Sequence, residues 1–77
     1  MQKKQQRTEL TLQEKVLQKV KKFYLQGASI RNQPDCIKIN AFVLVEKDLE
    51  FFKDLEGMYR GIMIKRSGNG LVIILNF

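Results

Sequence analysis

Residues 71–77, LVIILNF, constrain the fold more than any other part of the chain. The segment has no charge and no Pro, and its Val and Ile residues favour extended backbone. As a strand it sets Leu71, Ile73, Leu75 and Phe77 on one face and Val72, Ile74 and Asn76 on the other. Both faces are then largely apolar, and a free edge on such a strand invites aggregation. It must lie inside a sheet or pair with another chain.

Its nearest partner is local. Residues 59–65 are separated from it by Arg66, Ser67, Gly68, Asn69 and Gly70. Asn69-Gly70 is a strong hairpin signal, because both residues tolerate positive φ. The chain therefore closes with a β-hairpin.

The first regular element is a helix. Thr11 and Glu14 have capping-box spacing, in which the Thr hydroxyl accepts from the backbone three residues on and the Glu reaches back. The helix is predicted over 12–26, with Gly27 free to take the left-handed conformation that ends it. At 100° per residue Leu12, Val16, Leu17, Val20, Phe23 and Tyr24 share one arc, while Lys15, Lys19 and Lys22 recur on the opposite side with Lys21 beside them. One side has reason to bury and the other is cationic along its length.

Pro34-Asp35 marks a turn, with a short extra strand possible at 29–31. Residues 36–45 then read as a strand, with Ile37, Ile39, Ala41, Val43 and Val45 on one face. Its second half is apolar on both faces, which predicts an end in a two-sided interior. Residues 46–56 hold five acids and two lysines. Phe51, Phe52 and Leu55 recur there at helical spacing, so a second, acidic helix is expected, capped by Asp48 and closed by Gly57. A strand is the competing reading, because Phe-Phe suits either. The expected fold is a small two-layer α+β domain of order α-β-α-β-β over 11–77, preceded by a flexible basic arm over 1–10. Two helices on one face would leave the other bare, so the helices split across the sheet or a second copy covers it. A homodimer is the expectation.

Charge locates the functional question. The net charge is +6. Residues 1–31 carry eight basic side chains against two acidic ones, and residues 32–77 carry six of each. The excess thus sits on the arm (Lys3, Lys4, Arg7) and the first helix (Lys15, Lys19, Lys21, Lys22). Such asymmetry is the usual footprint of a polyanion-facing surface, although Lys also serves as a solubilising helix former. Lys15 to Lys22 span about 10 Å at 1.5 Å per residue, a reach that matches neighbouring phosphates. Lys65 and Arg66 at the hairpin add a second basic spot. Lys outnumbers Arg, and Lys supplies point charge rather than a planar fork for base edges. Binding is expected to follow the nucleic-acid backbone, RNA or DNA, with weak sequence preference.

Catalysis is poorly served. There is no His and a single Cys, so a thiolate–imidazole pair, a disulfide and a thiolate zinc cluster are all excluded within the chain. Cys36, beside Ile37, is expected to be a buried, inert thiol. Asp48, Glu50, Asp54 and Glu56 read as solvating charges. Ser67 to Gly70 lacks the strand–loop–helix setting and trailing Lys-Ser/Thr of a phosphate loop. The aromatics Phe23, Tyr24, Phe42, Phe51 and Phe52 sit where a core needs them, and Tyr59 is best placed for packing. No catalytic residue, metal or cofactor is expected. Residues 1–10 show no apolar leader core, and the longest apolar run is far below the roughly 20 residues that span a bilayer. A cytoplasmic protein with a reduced thiol fits this pattern. The rival function is a protein–protein module or small inhibitor, using Leu71, Ile73, Leu75 and Phe77 for β-augmentation. Its acidic helix would face a basic partner.

Overall fold

The computed structural model describes residues 10–24 and 28–77. The basic arm (including Lys3, Lys4 and Arg7) and the expected closing glycine, Gly27, lie outside the described residues.

The capping box forms as its spacing predicts. Thr11 Oγ1 accepts from the Glu14 backbone N–H at 3.1 Å, and Glu14 Oε1 accepts from the Thr11 N–H at 2.8 Å. It opens α1, Leu12–Phe23. Two strands follow, β1 (Ser29–Gln33) and β2 (Cys36–Ala41), then α2 (Glu46–Asp54), β3 (Gly61–Ser67) and β4 (Gly70–Asn76). The order is therefore α-β-β-α-β-β. The expected α+β class and C-terminal hairpin hold, and the extra strand is real and longer than its polar sequence suggested. The four strands form one antiparallel sheet in the order β1-β2-β4-β3.

β4 is central, bonded to β2 on one side and β3 on the other. That position satisfies the constraint set by its uncharged sequence. It also corrects the idea that Leu71, Ile73, Leu75 and Phe77 offer a strand to a partner. Both edges of β4 are occupied within the chain, Ile73 and Leu75 are fully buried, and Leu71 and Phe77 pack against the core.

Register assigns every strand residue to a face, because residues directly opposite each other in an antiparallel ladder point the same way. Ile30, Ile37, Ile39, Ile73, Leu75, Ile62 and Ile64 share one face. Val16 and Val20 of α1 join Phe52 of α2 and Leu55 at its end in a single core cluster with Ile37, Ile39, Ile73 and Leu75. Both helices therefore lie on that side, the covered face, and do not split across the sheet. Among the described residues nothing covers the other, open face.

β2 stops earlier than expected. Ala41 pairs with Leu71, and β4 begins at Gly70. Only Gly70 of β4 remains beyond Leu71, the ladder ends at Ala41, and the chain turns away toward α2. Phe42 and Val43 are consequently 75% and 66% exposed rather than interior. Gly70 makes this departure possible, since a Cβ there would collide with the Ala41 carbonyl oxygen. The two-residue hairpin turn is Gly68-Asn69, with Gly68 at φ 59°, and Gly70 pairs with Ser67 inside the ladder. The glycine of the Asn69-Gly70 pair is thus needed for close approach of backbone, not for a left-handed turn.

The acidic segment is helical. Its N-cap is Val45, and Asp48 stands at the third helical position rather than at the cap. Asp48 Oδ2 accepts from the Val45 N–H at 2.8 Å, which is the return half of a capping box. Gly57, at φ 93°, carries the chain out of the turn that follows α2.

Candidate nucleic-acid interface

α1 positions the main cationic surface. Val16 and Val20 are fully buried, which fixes the rotation of the helix and turns Lys15, Lys19 and Lys22 outward. Lys15, Lys19, Lys21 and Lys22 are all exposed. Lys21 and Lys22 lie in the last turn, where the carbonyl end of the helix favours positive charge.

This surface has aromatic neighbours. A shallow groove of about 480 Å³ is lined by Lys19, Lys22, Phe23, Phe51, Asp54 and Met58, among others. Phe23 stacks on Phe51 with ring centroids 4.1 Å apart and planes 8° from parallel. Phe23 remains partly exposed, so an aromatic ring adjoins the lysines. Asp54 brings one carboxylate of α2 to the same groove.

The α1–α2 junction is held by a polar pair, half-buried Tyr24 and buried Asp48. The Tyr24 hydroxyl donates to Asp48 Oδ1 at 2.7 Å. Asp48 is buried, and with Tyr24 and Val45 both of its oxygens are engaged. It is an internal tie between helices, not the solvating charge that its acidic neighbourhood suggested. Burial, then the hydrogen bond to Asp48 and the charge of its carboxylate, hold the Tyr24 phenol well above the ordinary tyrosine range. Tyr59 is raised as well, by burial first and then by Glu56. Its hydroxyl donates to the Phe52 carbonyl at 3.0 Å, so Tyr59 packs at the core boundary as expected. A second tie joins α1 to the sheet. The Gln13 side-chain amide donates to Asn32 Oδ1 at 2.8 Å and to the carbonyl of Gln33, the last residue of β1.

Lys65 and Arg66 do not join the α1 surface as a unit. They are neighbours on β3 and point to opposite faces. Arg66 stands opposite Leu71 on the covered face, and Lys65 stands opposite Val72 on the open face. Lys65 instead shares the open face with two basic residues that the sequence reading left unassigned, two and three strands away. Arg31 and Lys38 are directly opposite each other on the open face of β1 and β2. The alternation of 36–40 already sets Lys38 on the face opposite Ile37 and Ile39, whereas Arg31 is placed only once polar 29–33 is taken as a strand. Every strand residue of the open face is neutral or basic, with Val72, Ile74 and Met63 at its centre. Cys36 is on this face as well. It is half-buried there rather than interior, its thiol 3.4 Å from Gln33 Oε1. Phe42, expected in the core, is on neither face.

Among the described residues no cluster of three or more His, Cys, Asp or Glu side chains could hold a metal ion. No helix among them is long and apolar enough to cross a membrane. No family model, curated protein or solved structure matches this chain.

Proposed function

We propose that this is a non-enzymatic protein of the cytoplasm that docks the backbone of a nucleic acid through the exposed side of α1. Lys15, Lys19 and Lys22 contact successive phosphates, Lys21 flanks them, and the arm residues Lys3, Lys4 and Arg7 extend the contact. The observation that carries the reading is the lysine row on the outer side of a helix whose inner side is anchored by Val16 and Val20. The adjoining Phe23 ring suits stacking of an unpaired base, a sequence-tolerant contact. The lone thiol, with no disulfide partner in the chain, supports a reducing compartment. Lys65, with Arg31 and Lys38, lies across the sheet from this surface and takes no part in it. Self-association of the chain is part of the same reading, because apolar surface is left uncovered on β3.

The test is binding of a generic RNA and a generic DNA duplex, followed by anisotropy against salt. Each lost phosphate contact flattens the log–log slope by about 0.7 to 0.9. Changing Lys15, Lys19 and Lys22 to Gln together flattens it by roughly 2 to 3 units. Changing Lys47 and Lys53 of the acidic α2 leaves it nearly unaltered. No binding at low salt by the unmodified protein removes the proposal and leaves a protein–protein module as the better reading, with acidic α2 as its docking surface.

A further inference from the structure

The groove between α1 and α2 changes character across its width. Lys19 and Lys22 line it from α1, Asp54 lines it from α2, and Phe23, Phe51 and Met58 make an apolar strip. Both lysines and Asp54 are exposed. The strip is anchored from below. Phe51 meets Phe52 with ring centroids 5.3 Å apart, and Phe52 is buried in the core. Phe51 in turn covers one face of the Phe23 ring. Tyr24 does not cover the other. The centroid separations of 4.1 Å (Phe23–Phe51), 4.8 Å (Phe23–Tyr24) and 6.3 Å (Tyr24–Phe51) make a right angle at Phe23, so Tyr24 stands at the edge of that ring. Phe23 is 39% exposed, and no aromatic ring among the described residues lies over its second face. A ring held on one face and open on the other is a stacking platform that needs no rearrangement before use.

We propose that this groove seats one unpaired base of a single strand, stacked on the second face of Phe23, with the flanking phosphates on the α1 side. The inference rests on the nucleic-acid reading above and names the form of nucleic acid and the contact that selects it. The occupant is chosen by the combination of cations on one wall, a flat apolar strip and an anion on the other wall. A nucleotide carries a phosphate at one end and a neutral flat ring at the other. The amino group of adenine, guanine or cytosine is a donor that the acceptor-only Asp54 carboxylate suits. Lys19 and Lys22 are three residues apart on one side of α1, so they hold the phosphates on either side of that base. A duplex offers the lysines its phosphates but keeps its ring faces stacked inside, and the platform stays empty. An anionic membrane or a run of acidic side chains meets the lysines but carries no ring to stack, and Asp54 repels it.

Fluorescence anisotropy against salt tests this with three probes: a short labelled strand of mixed sequence, the same strand with abasic sites in place of its bases, and its duplex. The abasic strand keeps every phosphate and loses the rings. It is expected to bind about fivefold or more weakly at a given salt concentration, the lower end of what one stacked base contributes, with the salt slope unchanged. Phe23→Leu keeps an apolar side chain and removes the ring. It is expected to weaken binding of the intact strand by a similar factor and to leave the abasic strand and the duplex unaltered, while circular dichroism stays that of the unmodified protein. A further measurement locates the base without any variant: a strand carrying a photoreactive base cross-links to Phe23 or Met58. An abasic strand that binds as tightly as the intact one overturns the base seat and leaves the phosphate contacts of α1 standing. Cross-links that fall only elsewhere, or an intact strand that keeps its advantage on folded Phe23→Leu, overturn the groove as its place. Failure of all three probes to bind at low salt removes the proposal and the nucleic-acid reading together.

Discussion

Ile73 and Ile64 stand directly opposite each other on the same face of the sheet. Ile73 is wholly buried, and Ile64 is 44% exposed. They have the same side chain and share a face, and differ in what lies above and beside them: Ile73 has a strand on each side, Ile64 on one. α1 and α2 cover β2 and β4 and stop short of β3. Burial is thus set by where the helices come to rest, which depends on Val16, Val20, Phe52 and Leu55 meeting β2 and β4.

Two paired comparisons follow, the pair with the larger expected effect first. Ile73→Ala leaves a cavity under both helices and is expected to cost about 2 to 5 kcal/mol. Ile64→Ala at low protein concentration should cost well under half as much, because the removed atoms were already partly in water. Chemical denaturation of both variants measures the contrast, and equal losses would mean that β3 is covered in solution. Gly70→Ala forces a Cβ against the Ala41 carbonyl, where β2 leaves the sheet. Overpacking of that kind costs about 1 to 3 kcal/mol, whereas Gly68→Ala meets no atoms and should lose less, through its positive φ alone. A reversed ranking would place the strain in the turn rather than at the covered end.

Tyr24→Phe probes the helix layer itself. It removes the donor from the buried Asp48 oxygen and should lower stability by about 1 to 3 kcal/mol at neutral pH. The pH dependence has a definite sign. The folded phenol holds its proton more tightly than the unfolded one, which ionises near the ordinary value of 10.0. Its contribution is complete below that pH and is lost as pH rises through it toward the folded value, because the unfolded chain then binds fewer protons. Above about pH 10 the unmodified protein should lose stability faster than the Phe variant. Parallel curves would remove the Tyr24–Asp48 pair from the explanation. Thr11→Ala, at the exposed start of α1, should cost least, about 1 kcal/mol, and thermal melting is enough to read it.

These residues also mark how far the sequence could be read. The capping box at Thr11, the burial of Val16 and Val20, both helices, the closing hairpin and the interior placement of β4 rest on local pattern, and the structure has them, while Leu12 and Phe23 of the same apolar arc stay 52% and 39% exposed. Where β2 ends was not legible. Residues 41–45 are uniformly apolar, and the end of the ladder at Ala41 depends on distant β4, which has only Gly70 left beyond Leu71. The polar sequence of β1 hid its alternation, and with it the pairing of Arg31 with Lys38. Asp48 looked like its acidic neighbours, because its burial depends on Tyr24, a residue from the other helix. Of the candidate site, the α1 lysines could be placed from a helical wheel. The separation of Lys65 from Arg66 needed the register of β3 against β4.

The place of β4 between β2 and β3 has a kinetic consequence. β3 and β4 can meet early, through a two-residue turn. β2 cannot form its inner ladder until β4 arrives, since Ile37 must find Leu75 and Ile39 must find Ile73 across α2 and the hairpin. Until that loop closes, the apolar faces of α1 and α2 have only half a floor to rest on. The rate of folding is therefore tied to one long-range encounter, and changes that slow it will expose the uncharged β4 to other chains for longer.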